Sequence, residues 1–107
     1  MNKVYVEFRD QVHARRELPH SERRQIGSRD WDEWLRHYIL QMIVYGYERG
    51  LRGVDLRTHV DRERRYAVAR HNVHWAKVGD EILKHNRRDA DYDSAWMHSR
   101  LSELDEQ

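Results

Sequence analysis

Residues 38–47 read Tyr-Ile-Leu-Gln-Met-Ile-Val-Tyr-Gly-Tyr, and the helix to which they belong decides the fold. Trp31, Trp34, Leu35, Tyr38, Ile39, Met42, Ile43 and Gly46 recur at steps of three and four, the spacing of one helical face. Ser28 is placed to cap the start. Asp30, Asp32 and Glu33 fall in the first turn, where the helix dipole favours acids, and Gly50 stands where a helix stops. From Tyr38 onward the helix is apolar nearly all round, and such a helix must be covered on every side. A chain of 107 residues offers few other helices to cover it, so the reading expects a partner protein or a second copy, with a homodimer favoured.

Working outward, Pro19, Gly27, the Gly50/Gly53 pair and Gly79 cut the rest into helix-sized pieces. In Lys3–Leu18, Val4, Tyr5, Phe8 and Val12 fit a helix, whereas Val4, Val6 and Phe8 fit strand alternation. Helix is preferred because a lone strand finds no partner in a helical chain. From about Leu56 to His85, the residues Val60, Arg64, Ala67, Val68, His71, Trp75, Val78 and Ile82 form one stripe. Thr58 is the expected cap, and Gly79-Asp80 is a place where the helix divides. A last helix starts near Asp91 or Asp93 and carries Tyr92, Trp96, Met97, Leu101 and Leu104. The expected fold is all-α: a compact single-domain bundle of four to five helices over residues 1–107, with an acidic C-terminal helix or tail from about 89.

Composition agrees with a packed domain. Charged residues make up 36% and apolar ones 38%, but four Trp and six Tyr gather in clusters that a disordered chain lacks. The absence of cysteine excludes disulfides, thiolate-bound zinc and thiol nucleophiles. The N-terminal stretch has no apolar signal region, and the run from Tyr38 to Tyr47 is too short to span a bilayer. A cytoplasmic protein without membrane contact is therefore expected.

Of the 20 basic residues 17 are Arg, a bias that reads first as the codon usage of a GC-rich genome. Residues 89–107 hold six acids against Arg100, a charge of −5. The whole chain is +1, so residues 1–88 carry +6. Two segments concentrate it: 15–29, with Arg15, Arg16, Arg23 and Arg24, and 57–70, with Arg62, Arg64 and Arg65. These residues are the candidates for contacting the phosphates of RNA or DNA, with His20, Tyr66 and Trp75 near enough to stack. The acids between them, Asp61 and Glu63 among others, argue against that use.

Catalytic signatures are sparse. Arg64 and His71 lie two turns apart on one helix, a spacing that resembles the Arg…His motif of the HEPN ribonucleases, although Tyr66 follows Arg65 where that family has a small polar residue. The resemblance covers one motif and implies a site assembled across a dimer. His59, His71 and His74 could converge, but no carboxylate–histidine repeat accompanies them, so neither metal nor cofactor is expected. No phosphate loop or nucleophile elbow is present.

Aromatics and Arg dominate protein–protein hot spots. The leading expectation is thus a non-enzymatic interaction module, a small inhibitor or adaptor of the phage anti-defence or host-takeover type. Its anchors would be Trp31, Trp34, Tyr45 and Tyr47, with Arg49 and Arg52 at the rim.

Overall fold

The computed structural model describes residues 1–14, 29–77 and 87–105, the last two separated by 78–86. These residues form four α-helices and no strand: α1 (Lys3–Ala14), α2 (Arg29–Glu48), α3 (Gly53–Ala76) and α4 (Ser94–Asp105). The all-α bundle is as the periodicities predict, and the ambiguous first segment is a helix. Ser28, Pro19 and the Gly79-Asp80 division lie outside the described residues.

Local chemistry sets the helix ends. Asn2 caps α1 by accepting from the Tyr5 amide at 3.0 Å, and its own amide donates to the Leu104 carbonyl at 3.1 Å. One short polar side chain therefore both starts the first helix and ties it to the end of the last. At the far end of α2, Gly50 adopts φ 92°. The Leu51 amide donates to Gly46 and the Gly50 amide to Tyr47, both at 3.0 Å, which is the Schellman arrangement that satisfies the last carbonyls of a helix. The reversal is so tight that α3 begins at Gly53, with Arg52 extended before it and contributing no side-chain cap. Thr58, expected as the cap, is instead inside the helix, because the turn, not the apolar stripe, fixes where α3 starts.

The core lies around α2. Trp31, Leu35, Ile39, Ile43 and Val44 are all at most 1% exposed. They meet Tyr5, Phe8 and Val12 of α1, Leu56, Val60, Ala67 and Val68 of α3, and Met97, Leu101 and Leu104 of α4. Helix α2 packs mainly against α3 and α1 and touches α4. Helices α1, α3 and α4 cover the inward residues of this apolar helix, while Trp34, Tyr38, Met42 and Tyr47 are half-buried and Tyr45 is exposed. Gly46 permits the closest approach: a Cβ there would lie 2.7 Å from Leu56 Cδ1 and 3.2 Å from His59 Cδ2.

Polar pins cross between the helices. Three tyrosine hydroxyls donate to carboxylates on other elements: Tyr5 to Glu48 at 2.9 Å, Tyr38 to Glu63 at 2.9 Å and Tyr92 to Asp32 at 2.7 Å. Arg64 is fully buried, and it donates to the carbonyls of Ala90 and Tyr92 and pairs with Asp61. It anchors the segment preceding α4 onto α3. Among the described residues, no helix is long and apolar enough to cross a membrane.

Candidate interaction surface

Trp34, Tyr38, Tyr45 and Arg49 run along α2 and its exit at i, i+4, i+11 and i+15, so they share one stripe of the helix. This stripe is the edge of α2 that the other helices leave partly open. Trp34 and Tyr38 are half-buried and stack with centroids 5.2 Å apart and planes 9° from parallel. Tyr45 is 45% exposed, on a helix whose inward apolar residues are almost fully buried. Arg49 is exposed, its Nη2 3.3 Å from His59 Nε2. The Tyr38 hydroxyl is pushed up to about 12, first by burial and then by its hydrogen bond to Glu63.

Tyr47 and Arg52 do a different job one turn on. The Arg52 guanidinium lies 3.4 Å from the centre of the Tyr47 ring, which stacks on Tyr5 at 4.7 Å, and Arg9 lies 5.7 Å from Tyr5 on α1. The result is a cation–aromatic–aromatic–cation column. Arg52 Nη1 also donates to the carbonyls of Tyr47 at 2.8 Å and Leu51 at 2.7 Å. Both residues therefore hold the α2–α3 corner together, with the exposed Val54 beside them.

Trp31, expected as an anchor, belongs to the core instead. It is fully buried, with its ring 3.9 Å from that of His71 and 6.0 Å from that of Tyr92. Large aromatics near a helix start satisfy the same spacing whether they face a core or a partner, and here the bundle covers it.

The Arg candidates for phosphate contact divide in the same way. Arg15, Arg16, Arg23 and Arg24 lie outside the described residues. Arg64, expected on phosphate, is buried instead: its guanidinium is inside the bundle, committed to two carbonyls and a carboxylate, and cannot reach a ligand. Arg62 and Arg65 are exposed. His71, which completes the spacing with Arg64, is buried against Trp31, so neither member of that pair is on the surface.

The acids that argue against phosphate binding in the sequence are engaged within the fold. Asp61 pairs with Arg64 at 2.8 Å and Arg65 at 2.9 Å, and Glu63 accepts from Tyr38. Stepping 100° per residue, positions 62, 65, 66, 69, 70, 73, 76 and 77 fall within an arc of about 140° on α3. All eight are exposed: Arg62, Arg65, Tyr66, Ala69, Arg70, Val73, Ala76 and Lys77, with no carboxylate among them. Arg70 and Lys77 continue the face at helical spacing from Arg62, whereas Arg87 arrives beside Arg65 only through the folded chain. Among the described residues, no group of three or more His, Asp or Glu is placed to hold a metal ion. No protein-family model, no curated protein and no solved structure matches the chain.

Proposed function

We propose that the chain is a non-enzymatic protein–protein interaction module of the cytoplasm, an inhibitor or adaptor that occupies a surface on a partner protein through the α2 stripe. The observation that supports this reading is Tyr45, 45% exposed and in line with Trp34, Tyr38 and Arg49 on a helix whose other large apolar side chains are buried or half-buried. A half-exposed aromatic held rigidly loses little conformational freedom when a partner covers it, and tyrosine offers both apolar area and a hydroxyl. Tyr38 and Trp34 stiffen the stripe through their stack and the bond to Glu63. Arg49 supplies a charged rim, where charge complementarity governs association rate and partner choice.

The test is a tagged pull-down from nuclease-treated lysate, run beside the double variant Tyr45→Ala, Arg49→Ala. The reading expects one stoichiometric protein band with the parent chain and its loss with the variant, at unchanged circular dichroism and melting temperature. A band that persists with the variant, or no band with the parent, overturns it. Light scattering on the purified parent separates self-association through the same stripe from capture of a different protein.

A further inference from the structure

We infer that the exposed face of α3 binds single-stranded nucleic acid, with Arg62, Arg65, Arg70 and Lys77 on phosphates and Tyr66 as a base-stacking platform. The inference stands on a surface other than the Tyr45 stripe and holds whether or not that stripe docks a protein. Three observations carry it.

The first is charge of one sign. Over the arc from Arg62 to Lys77 the exposed residues contribute four cations and no acid; beside the arc, Asp61 is shared between the buried Arg64 and Arg65 of the stripe, and Glu63 accepts from Tyr38. Among the described residues, Arg62 and Lys77 make no ion pair. Such a stripe attracts a polyanion and releases its condensed counterions on binding. At 1.5 Å per residue the fifteen steps from Arg62 to Lys77 span about 22 Å, the reach of several consecutive phosphates.

The second is an aromatic among the cations. Tyr66 is 59% exposed, and the Arg70 guanidinium lies 5.7 Å from its ring centre. An exposed ring that no core residue requires, flanked by guanidinium groups, is the pairing that stacks bases irrespective of sequence. Ala69 and Val73 leave the surface beside it low and apolar, so a base can lie against the helix; Tyr66, Ala69, Arg70, Val73, His74 and Lys77 together line a groove of about 660 Å³.

The third is a basic recess on the same face. Arg65, Arg87 and Arg88 line with Asn72 a cavity of about 220 Å³ whose rim also includes Asp89; Arg65 is paired with Asp61 at 2.9 Å and Arg88 with Asp32 at 3.8 Å, so Arg87 carries the open charge of the recess. Asn72 fixes its wall by donating to the Arg88 carbonyl at 2.8 Å and accepting from the Arg88 amide at 2.9 Å. Arg87 is exposed and, among the described residues, unpaired. The recess lengthens the cationic track beyond α3 itself. Tyr66 distinguishes a single strand, whose bases are open for stacking, from a duplex, whose bases are not.

The test measures fluorescence anisotropy of a labelled 20-nucleotide single strand, a duplex of the same sequence and poly-glutamate, with the full chain at several salt concentrations. The expected result is single-strand binding that weakens linearly in log salt. Arg62→Ala with Arg65→Ala should lower the slope by about 0.7 for each phosphate that is no longer neutralised. Tyr66→Ala should weaken single-strand binding roughly 5- to 100-fold and leave the slope unchanged. Circular dichroism on each variant checks the fold, which these exposed positions do not support. Absent single-strand binding, or binding indifferent to the three substitutions in a folded chain, overturns the inference. So does poly-glutamate or duplex bound as tightly as the single strand.

Discussion

Arg64 Nη1 donates to the carbonyl oxygen of Tyr92 at 2.8 Å from a position with no solvent exposure. The same nitrogen reaches the Ala90 carbonyl at 2.7 Å, and Nη2 meets Asp61 at 2.8 Å. One side chain in the middle of α3 thereby satisfies the turn that leads into α4. Only a planar fork can serve three acceptors so placed, and lysine cannot reproduce it. Arg64→Ala leaves the carbonyls unsatisfied around a cavity and should destabilise the fold by about 3–5 kcal/mol. Arg64→Met, which restores volume, should lose less. In thermal unfolding the alanine variant should melt at least about 12 °C lower. Wild-type melting would remove Arg64 from its place as the tie between α3 and α4.

That residue also marks where the sequence is legible and where it is not. The core stripe of α3 includes Arg64 at its correct position, because periodicity reports which face a residue occupies. The assignment of Arg64 to phosphate fails because spacing carries no information on which carbonyls the fold brings to a guanidinium. Trp31 fails likewise: the aromatic spacing places it on α2 correctly but does not tell the side facing the bundle, since His71 of α3 and Tyr92 of the segment before α4 reach it only in the folded chain. Conversely, Asp61 and Glu63 look in the sequence like solvated acids opposing the Arg cluster. The Asp61–Arg65 pair is legible as i,i+4 spacing on one helix, whereas Tyr38, the partner of Glu63, becomes evident only once α2 and α3 are side by side. Helix existence depends on neighbours in sequence; the identity of an exposed face depends on neighbours in space.

Gly46 tests the closeness of α2 and α3. An alanine Cβ would lie 2.7 Å from the end of the Leu56 side chain, which is 1% exposed and has little room to turn away. Alanine recovers about 1 kcal/mol of helix propensity, while crowding a packed core costs about 1–3 kcal/mol. The net expectation is a loss of about 1 kcal/mol for Gly46→Ala and a far greater one for Gly46→Leu, read as shifts of the urea midpoint. A stabilised alanine variant would show that the helices part without cost.

Tyr38 makes stability depend on alkaline pH. Its hydroxyl is pushed up to about 12 from the usual 10 by burial and by the bond to Glu63. The folded state therefore favours the neutral phenol. Below pH 10 the phenol is neutral in both states and the contribution is complete. As pH climbs from 10 to 12 the unfolded chain loses its proton first, and stability falls. Tyr5 and Tyr92 are raised in the same direction, burial again being the larger cause and their carboxylate partners the next. Urea midpoints measured from pH 9 to 12 should thus decline, and the decline should be shallower in Tyr38→Phe. Parallel curves for the two proteins would sever stability from this hydroxyl.

Asp93 joins a backbone requirement to a side-chain one. Its φ is 60°, a left-handed conformation that aspartate and asparagine tolerate better than other residues with a Cβ. Its carboxylate receives Arg36 twice, Nε at 3.2 Å and Nη2 at 3.1 Å. That fork places the Arg36 guanidinium 5.0 Å from the centre of Trp96, with Arg100 at 5.6 Å. The Asp93 side chain is 10% exposed and Arg36 is 49% exposed, so the pair is only partly screened. Asp93→Asn keeps the backbone preference and surrenders the charge, and should cost about 1 kcal/mol. Asp93→Ala surrenders the fork and also meets the left-handed penalty, about 1–2 kcal/mol more. The urea midpoints should therefore descend from aspartate through asparagine to alanine. Only the step to asparagine should shrink at high salt, because salt screens the ion pair and leaves the backbone term untouched. Equal midpoints for the asparagine and alanine variants would show that the ion pair, and not the left-handed turn, fixes the start of α4.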